Sequence, residues 1–94
     1  MIPLEKLENA SEMLKAIAHP MRIAIVDMLV DGKSLTVTEI YETLNIEQAV
    51  ASHHLSIMKN KGVVLSERNG KNCHYKLKHP RLSQIISCID KCQQ

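Results

Sequence analysis

Apolar positions recur near the helical period over most of the chain and change to a strand-like pattern after Gly62. Leu4, Leu7, Leu14 and Ile17 mark an amphipathic first helix of roughly four turns, ending near His19 because Pro20 disfavours helical geometry in the residue before it. Pro20 can occupy the first turn of a second helix, about Pro20 to Asp31, whose apolar face is Ile23, Val26, Met28 and Leu29 and which Asp31-Gly32 stops. Thr36 and Glu39 form a capping box that opens a third helix over Val37 to Leu44, and Ser34-Leu35 leave room only for a very short strand before it. A fourth helix, from about Glu47 to Lys61, follows after Asn45-Ile46. Val63 to Arg68 and Asn72 to Leu77 are β-favouring runs separated by the hairpin signal Asn69-Gly70-Lys71. Pro80 starts a last helix with an apolar stripe of Leu82, Ile85, Ile86 and Ile89.

Two helices that meet across a tight turn at Asn45-Ile46 are helix-turn-helix punctuation, and the hairpin beyond them is a wing. The fourth helix carries Ala51, Leu55 and Met58 on one side and Gln48, Ala49, Ser52, His53, Ser56 and Lys59 on the other. A small, uncharged, donor-rich face suits base edges in a major groove better than a hydrophobic core. The fold expected is mainly α (α+β): a winged helix-turn-helix of about five helices with a two-stranded β-hairpin wing. No repeat, low-complexity tract or linker divides the chain, so residues 1–94 are expected to form one domain.

Composition narrows the partner. The net charge of +2 decides nothing by itself. With no Phe, no Trp and only Tyr41 and Tyr75, a stacking platform for single strands or RNA loops is hard to build, which leaves double-stranded DNA. The longest apolar run, Ile23 to Val30, is broken by Asp27 and far too short to span a bilayer, and no signal peptide opens the chain. No membrane partner and a cytoplasmic location are expected. Three cysteines without framework spacing agree with a reducing compartment.

The order of elements resembles the ArsR (ArsR/SmtB) family of winged helix-turn-helix repressors. The residues that carry the resemblance are Ala18-His19-Pro20-Met21-Arg22-Ile23, Leu35-Thr36-Val37-Thr38-Glu39-Ile40, Val50-Ala51-Ser52-His53-His54-Leu55, Lys61-Gly62-Val63-Val64, and the wing from Arg68 to Leu77. They span residues 18 to 77, and the flanking helices agree in pattern only. The resemblance implies a homodimer on an inverted-repeat operator that represses transcription and releases DNA when an effector changes its geometry. The apolar first and last helices are the natural material for the two-fold interface.

Gln48 can pair bidentately with adenine, Ser52 and Ser56 can donate or accept, and His53 can reach a base edge or phosphate. Ala49 lies on the same face. His54 falls at the edge of the buried stripe, where bracing the helix competes with touching DNA. Arg68 and Lys71 flank the wing turn, and with Arg22 and Lys59 they are phosphate candidates, each equally readable as a solubility charge.

The effector is unknown from sequence. Where metal-sensing relatives have cysteines at the start of the third helix, this chain has Val37 and Thr38. By the same resemblance His79 and Cys92 fall at two ligand positions of a site on the last helix, but Arg81 holds a third and the chain ends at Gln94 before the fourth, so no metal cofactor is expected. Cys88 and Cys92 sit on neighbouring turns and could share a soft metal or an oxidised sulfur species, while the sulfur-sensing pairing also needs a second-helix cysteine that is missing here. The five histidines are scattered along the chain.

No nucleophile, base and acid recur at useful spacing, and three glycines make no phosphate loop, so no enzyme is expected. The rival from another class is a winged-helix protein-interaction module, which would favour a neutral or acidic fourth-helix face. Here no carboxylate lies between Glu47 and Lys59.

Overall fold

A computed structural model describes residues 1–93. In order they form α1 (Leu4–Ile17), α2 (Pro20–Met28), β1 (Leu35–Thr36), α3 (Val37–Leu44), α4 (Gln48–Asn60), β2 (Val64–Asn69), β3 (Asn72–Leu77), a short 3-10 turn (Pro80–Leu82) and α5 (Ser83–Cys92). This is the expected order, and the architecture is the expected winged helix-turn-helix. Among the described residues no helix is long and apolar enough to cross a membrane.

Two helix ends differ from expectation. α1 stops at Ile17, two residues before His19, because the His19 N–H turns back to the Ile17 carbonyl. α2 stops at Met28, where the Leu29 N–H contacts the Val26 carbonyl at 3.0 Å and tightens the last turn. Asp31 and Gly32, both at positive φ, shape the loop that follows. The sheet also has three strands, not two: β1 pairs antiparallel with the free edge of β3, Leu35 opposite Tyr75 and Thr36 opposite His74. Two residues suffice to occupy edge groups that β3 would otherwise leave unpaired. At the far end Asn69 pairs with Asn72, so only Gly70 and Lys71 form the wing loop. Gly70 has φ +65° and Lys71 a negative φ, the sign pattern of a type II′ turn that matches strand twist.

α2 is the hub, packed against α1, α3, α4 and α5. Ile25 and Val26 of α2 and Leu29 just after it meet Ile40 of α3, Leu55 and Met58 of α4, and Val63 and Val64 leading into β2, all essentially without solvent exposure. Ile25, not among the apolar positions assigned to α2 from sequence, is at the centre of this core.

Local hydrogen bonds aim the two helices of the motif. The Thr36 side chain accepts from the Glu39 N–H at 3.2 Å, and the Glu39 carboxylate accepts from the Thr36 N–H at 3.0 Å, so the capping box is complete. At the other end of α3, Asn45 adopts the left-handed conformation, with Ile46 N–H on the Tyr41 carbonyl and Asn45 N–H on that of Glu42. α4 closes the same way: Gly62 is left-handed, its N–H meets the Lys59 carbonyl, and Val63 N–H meets that of Met58. Val63 and Met58 are both fully buried, which supplies the apolar contact such closures use.

Because Asn45 sets the angle between α3 and α4 from a left-handed conformation, Asn45→Gly should leave stability nearly unchanged. Asn45→Val should lower it by about 1–2 kcal/mol in urea unfolding at fixed protein concentration. The two Thr36 hydrogen bonds, backbone bond first, hold the Glu39 carboxyl below its ordinary 4.5. A lowered carboxyl stabilises the fold fully above its ordinary value and loses that contribution as pH falls through the lowered one. The urea midpoint should therefore drop on acidification below about pH 4.5, and Glu39→Gln should make that drop shallower.

Candidate nucleic-acid interface

Burial divides α4 lengthwise. Ala51, Leu55 and Met58 are fully buried, whereas Gln48, Ala49, Ser52, His53, Ser56 and Lys59 are all exposed. At about 100° per residue these six cover an arc of roughly 140°. Asn60, not singled out from sequence, falls on the same arc and is exposed. No carboxylate side chain interrupts α4 from Gln48 to Asn60. Arg68 near the end of β2 and Lys71 in the wing turn are both exposed.

Two residues expected on the DNA side are turned inward. His54 is only 7% exposed, and its Nδ1 accepts a hydrogen bond from Arg22 Nε at 3.1 Å. Arg22 is half-buried, and its Nη1 also donates to the Ala16 carbonyl at 3.4 Å. Position 54 belongs to the packed side of α4, which withdraws His54 from the interface, and two of the Arg22 donors are engaged by internal acceptors. Burial, then His19, Arg22 and His53, push the His54 imidazole below its ordinary 6.5.

His19 was read from sequence only as the end of a helix. In the structure it caps α2, its Nδ1 accepting from Met21 N–H at 3.1 Å, and its ring lies 4.7 Å from that of His54. Histidine is not a favoured capping residue, so no local signal announces this role.

Cations are not all equally free. Lys15 and Lys61 pair with Glu12, and Lys76 pairs with Glu67 across the wing at 2.8 Å. Among the described residues Lys59, Arg68 and Lys71 have no carboxylate within ion-pair distance, which leaves each charge available to a phosphate.

The effector candidates lie elsewhere. Cys88 and Cys92 share an exposed groove on α5 with Gln84, Ser87 and Lys91, and His79 stands outside it, exposed ahead of the 3-10 turn. Within one protomer, among the described residues, no three His, Cys, Asp or Glu side chains are gathered as a metal site. Cys73 is half-buried beside Tyr75, whose hydroxyl is pushed above its ordinary range by burial and by that thiol.

A helix-turn-helix with an exposed, carboxylate-free second helix and a basic wing defines a transcriptional regulator rather than an enzyme. The family model described as bacterial regulatory protein, arsR family, matches residues 19–66. The chain is 38% identical to the transcriptional repressor PagR of Bacillus anthracis, over 93% of this chain and 87% of that protein. It is 40% identical to the repressor SmtB of Mycobacterium tuberculosis, over 89% of this chain and 62% of that longer one. The crystal structure of PagR superposes with a TM-score of 0.84, covering 93% of this chain and 99% of that one. HlyU from Vibrio cholerae superposes with the same TM-score at 26% identity, covering 96% and 97% of the two chains. The chain belongs to the ArsR family of bacterial regulatory proteins.

If His54 is structural and Gln48 is not, their substitutions should separate in a stability assay. Gln48→Ala should move the urea midpoint by no more than about 0.5 kcal/mol equivalent, as for surface positions generally. His54→Ala should cost about 1–3 kcal/mol, because the Arg22 Nε–H loses its buried acceptor.

Proposed function

We propose that this chain is a homodimeric repressor that binds an inverted-repeat operator in duplex DNA, each α4 lying in a major groove. The observation that carries the reading is the exposed α4 arc from Gln48 to Lys59, with no acidic side chain and with the unpaired cations Arg68 and Lys71 on the wing. Gln48, Ser52 and His53 read base edges, with Ser56 and Ala49 beside them. Lys59, Arg68 and Lys71 hold phosphates and set the register. PagR and SmtB carry the description of repressor, which supports repression as the output here.

The dimer follows from what a single protomer leaves uncovered. Leu4, Leu7 and Leu14 stand out from α1, Leu4 with 70% of its surface in solvent, and Ile89 stands out from α5. Leu7, Ala10, Leu14 and Ala18 line a shallow apolar groove along α1. A second copy covers these stripes under a two-fold axis, which places the two α4 helices on successive major grooves about 34 Å apart. The interaction-module rival needs an acidic or neutral face on α4, and Lys59 with the unpaired wing cations opposes it.

Two classes of substitution should behave differently in binding to a duplex selected from a random library by the wild-type protein. Gln48→Ala and Ser52→Ala should each cost about 1–3 kcal/mol on the selected sequence and relax preference at one position of each half-site. Lys71→Ala should weaken binding to all duplexes alike and reduce the slope of log affinity against log salt by about 1. Unchanged affinity and preference in the first pair would reject the assignment of α4. The double substitution Leu7→Glu with Leu14→Glu should yield a monomer by sedimentation and abolish operator binding while the protein keeps its helical circular dichroism.

A further inference from the structure

His54, Arg22 and His19 form a cluster that DNA contact does not use, at the point where α4 rests on the turn between α1 and α2. The chemistry of the contact fixes its protonation. Arginine has donors only, so the His54 Nδ1 that receives Arg22 Nε–H at 3.1 Å is unprotonated, and the imidazole is neutral with its hydrogen on Nε2. His19 is held beside it, its Nδ1 accepting the Met21 N–H.

We propose that the Arg22–His54 hydrogen bond is a proton-sensitive latch that holds α4 in its DNA-reading attitude, so that mild acid releases the operator. The inference rests on the DNA-binding reading given above. A proton on His54 Nδ1 removes the acceptor and leaves two N–H donors pointing at each other. It also places a second cation against the guanidinium inside a site only 7% exposed. The groups that face His54 are Arg22 from α2, His19 from the turn at 4.7 Å between ring centres, and His53 from its own helix at 6.0 Å. Arg22 is a fixed cation, and among the described residues no carboxylate acts on His54 to compensate a proton there.

The sign follows from burial. The folded state favours neutral His54, so the latched form is fully stable above the ordinary value of 6.5 and loses stability as pH falls from there toward the lowered one. His53 is exposed on the reading face and makes no contact with Arg22, so it serves as a neighbouring position outside the latch.

The test compares wild type, His54→Asn and His53→Asn for binding to the library-selected duplex between about pH 7.5 and 5.5. Asparagine at 54 places an amide oxygen near the Nδ1 position and does not titrate. Wild type should lose affinity progressively as pH falls across this range. His54→Asn should hold its affinity across the range, and His53→Asn, which leaves the Arg22–His54 contact in place, should keep the wild-type pH-dependent loss. Imidazole NMR of the free wild-type protein supplies a second readout that needs no variant to fold. His54 should take its proton below the ordinary histidine range, with the α4 amide signals moving in step. Parallel pH profiles for wild type and His54→Asn, or a His54 that titrates while the α4 amides stay still, would overturn the latch. Failure of wild type to bind any duplex at pH 7.5 would overturn the DNA-binding reading and the latch together.

Discussion

A helix that reads DNA must be gripped along one side firmly enough for the other side to be left bare. α4 meets this requirement with three side chains, Ala51, Leu55 and Met58, all fully buried against α2 and the start of the sheet. The opposite arc has no partner within the protomer. Its residues are small or polar, so exposing them costs little, and the burial of three apolar side chains contributes several kcal/mol toward fixing the helix. The two left-handed closures, Asn45 before α4 and Gly62 after it, then determine where that bare arc points.

The motif was legible in sequence because it is built from local chemistry. A capping box, a left-handed asparagine and a left-handed glycine each act within five residues, and each leaves a mark on the residues that form it. The wing was legible for the same reason, since Gly70 marks the turn and β3 begins and ends where its β-favouring residues do. What sequence did not disclose is non-local. β1 finds its partner in β3 nearly forty residues later, and Arg22 finds His54 across thirty-two. A polar residue on a helix can face water or an internal acceptor, and periodicity alone places His54 only at the boundary between the two. The end of α1 was overrun because Pro20 bounds the helix without fixing its last residue, and that of α2 because its apolar pattern runs on to Leu29 past the regular hydrogen bonding.

The distribution of charge follows the same division. Lys61 and Lys76 are engaged by Glu12 and Glu67 away from the reading arc, Lys61 in a contact between α4 and α1 and Lys76 in one across the wing. On the arc and at the wing, Lys59, Arg68 and Lys71 have no carboxylate within ion-pair distance among the described residues. A modest net charge of +2 is therefore compatible with phosphate binding, because what matters over a screening length of about 8 Å is the local balance and not the total.

These links connect the helix proposed to form the dimer with the helix proposed to meet DNA. α1 reaches α4 at two places: through Ala16, Arg22 and His54 near the middle of α4, and through Glu12 and Lys61 at its end. The ion pair is exposed and contributes little by itself. The buried route is stiffer, because one guanidinium is shared between an acceptor on α1 and an acceptor on α4. A change of tilt between protomers that moves α1 must then either carry α4 with it or break that sharing. Carrying α4 keeps both copies in register with the grooves, and breaking the sharing frees them separately. A single arginine in this position ties the α1 backbone to a buried side chain of α4 within each protomer.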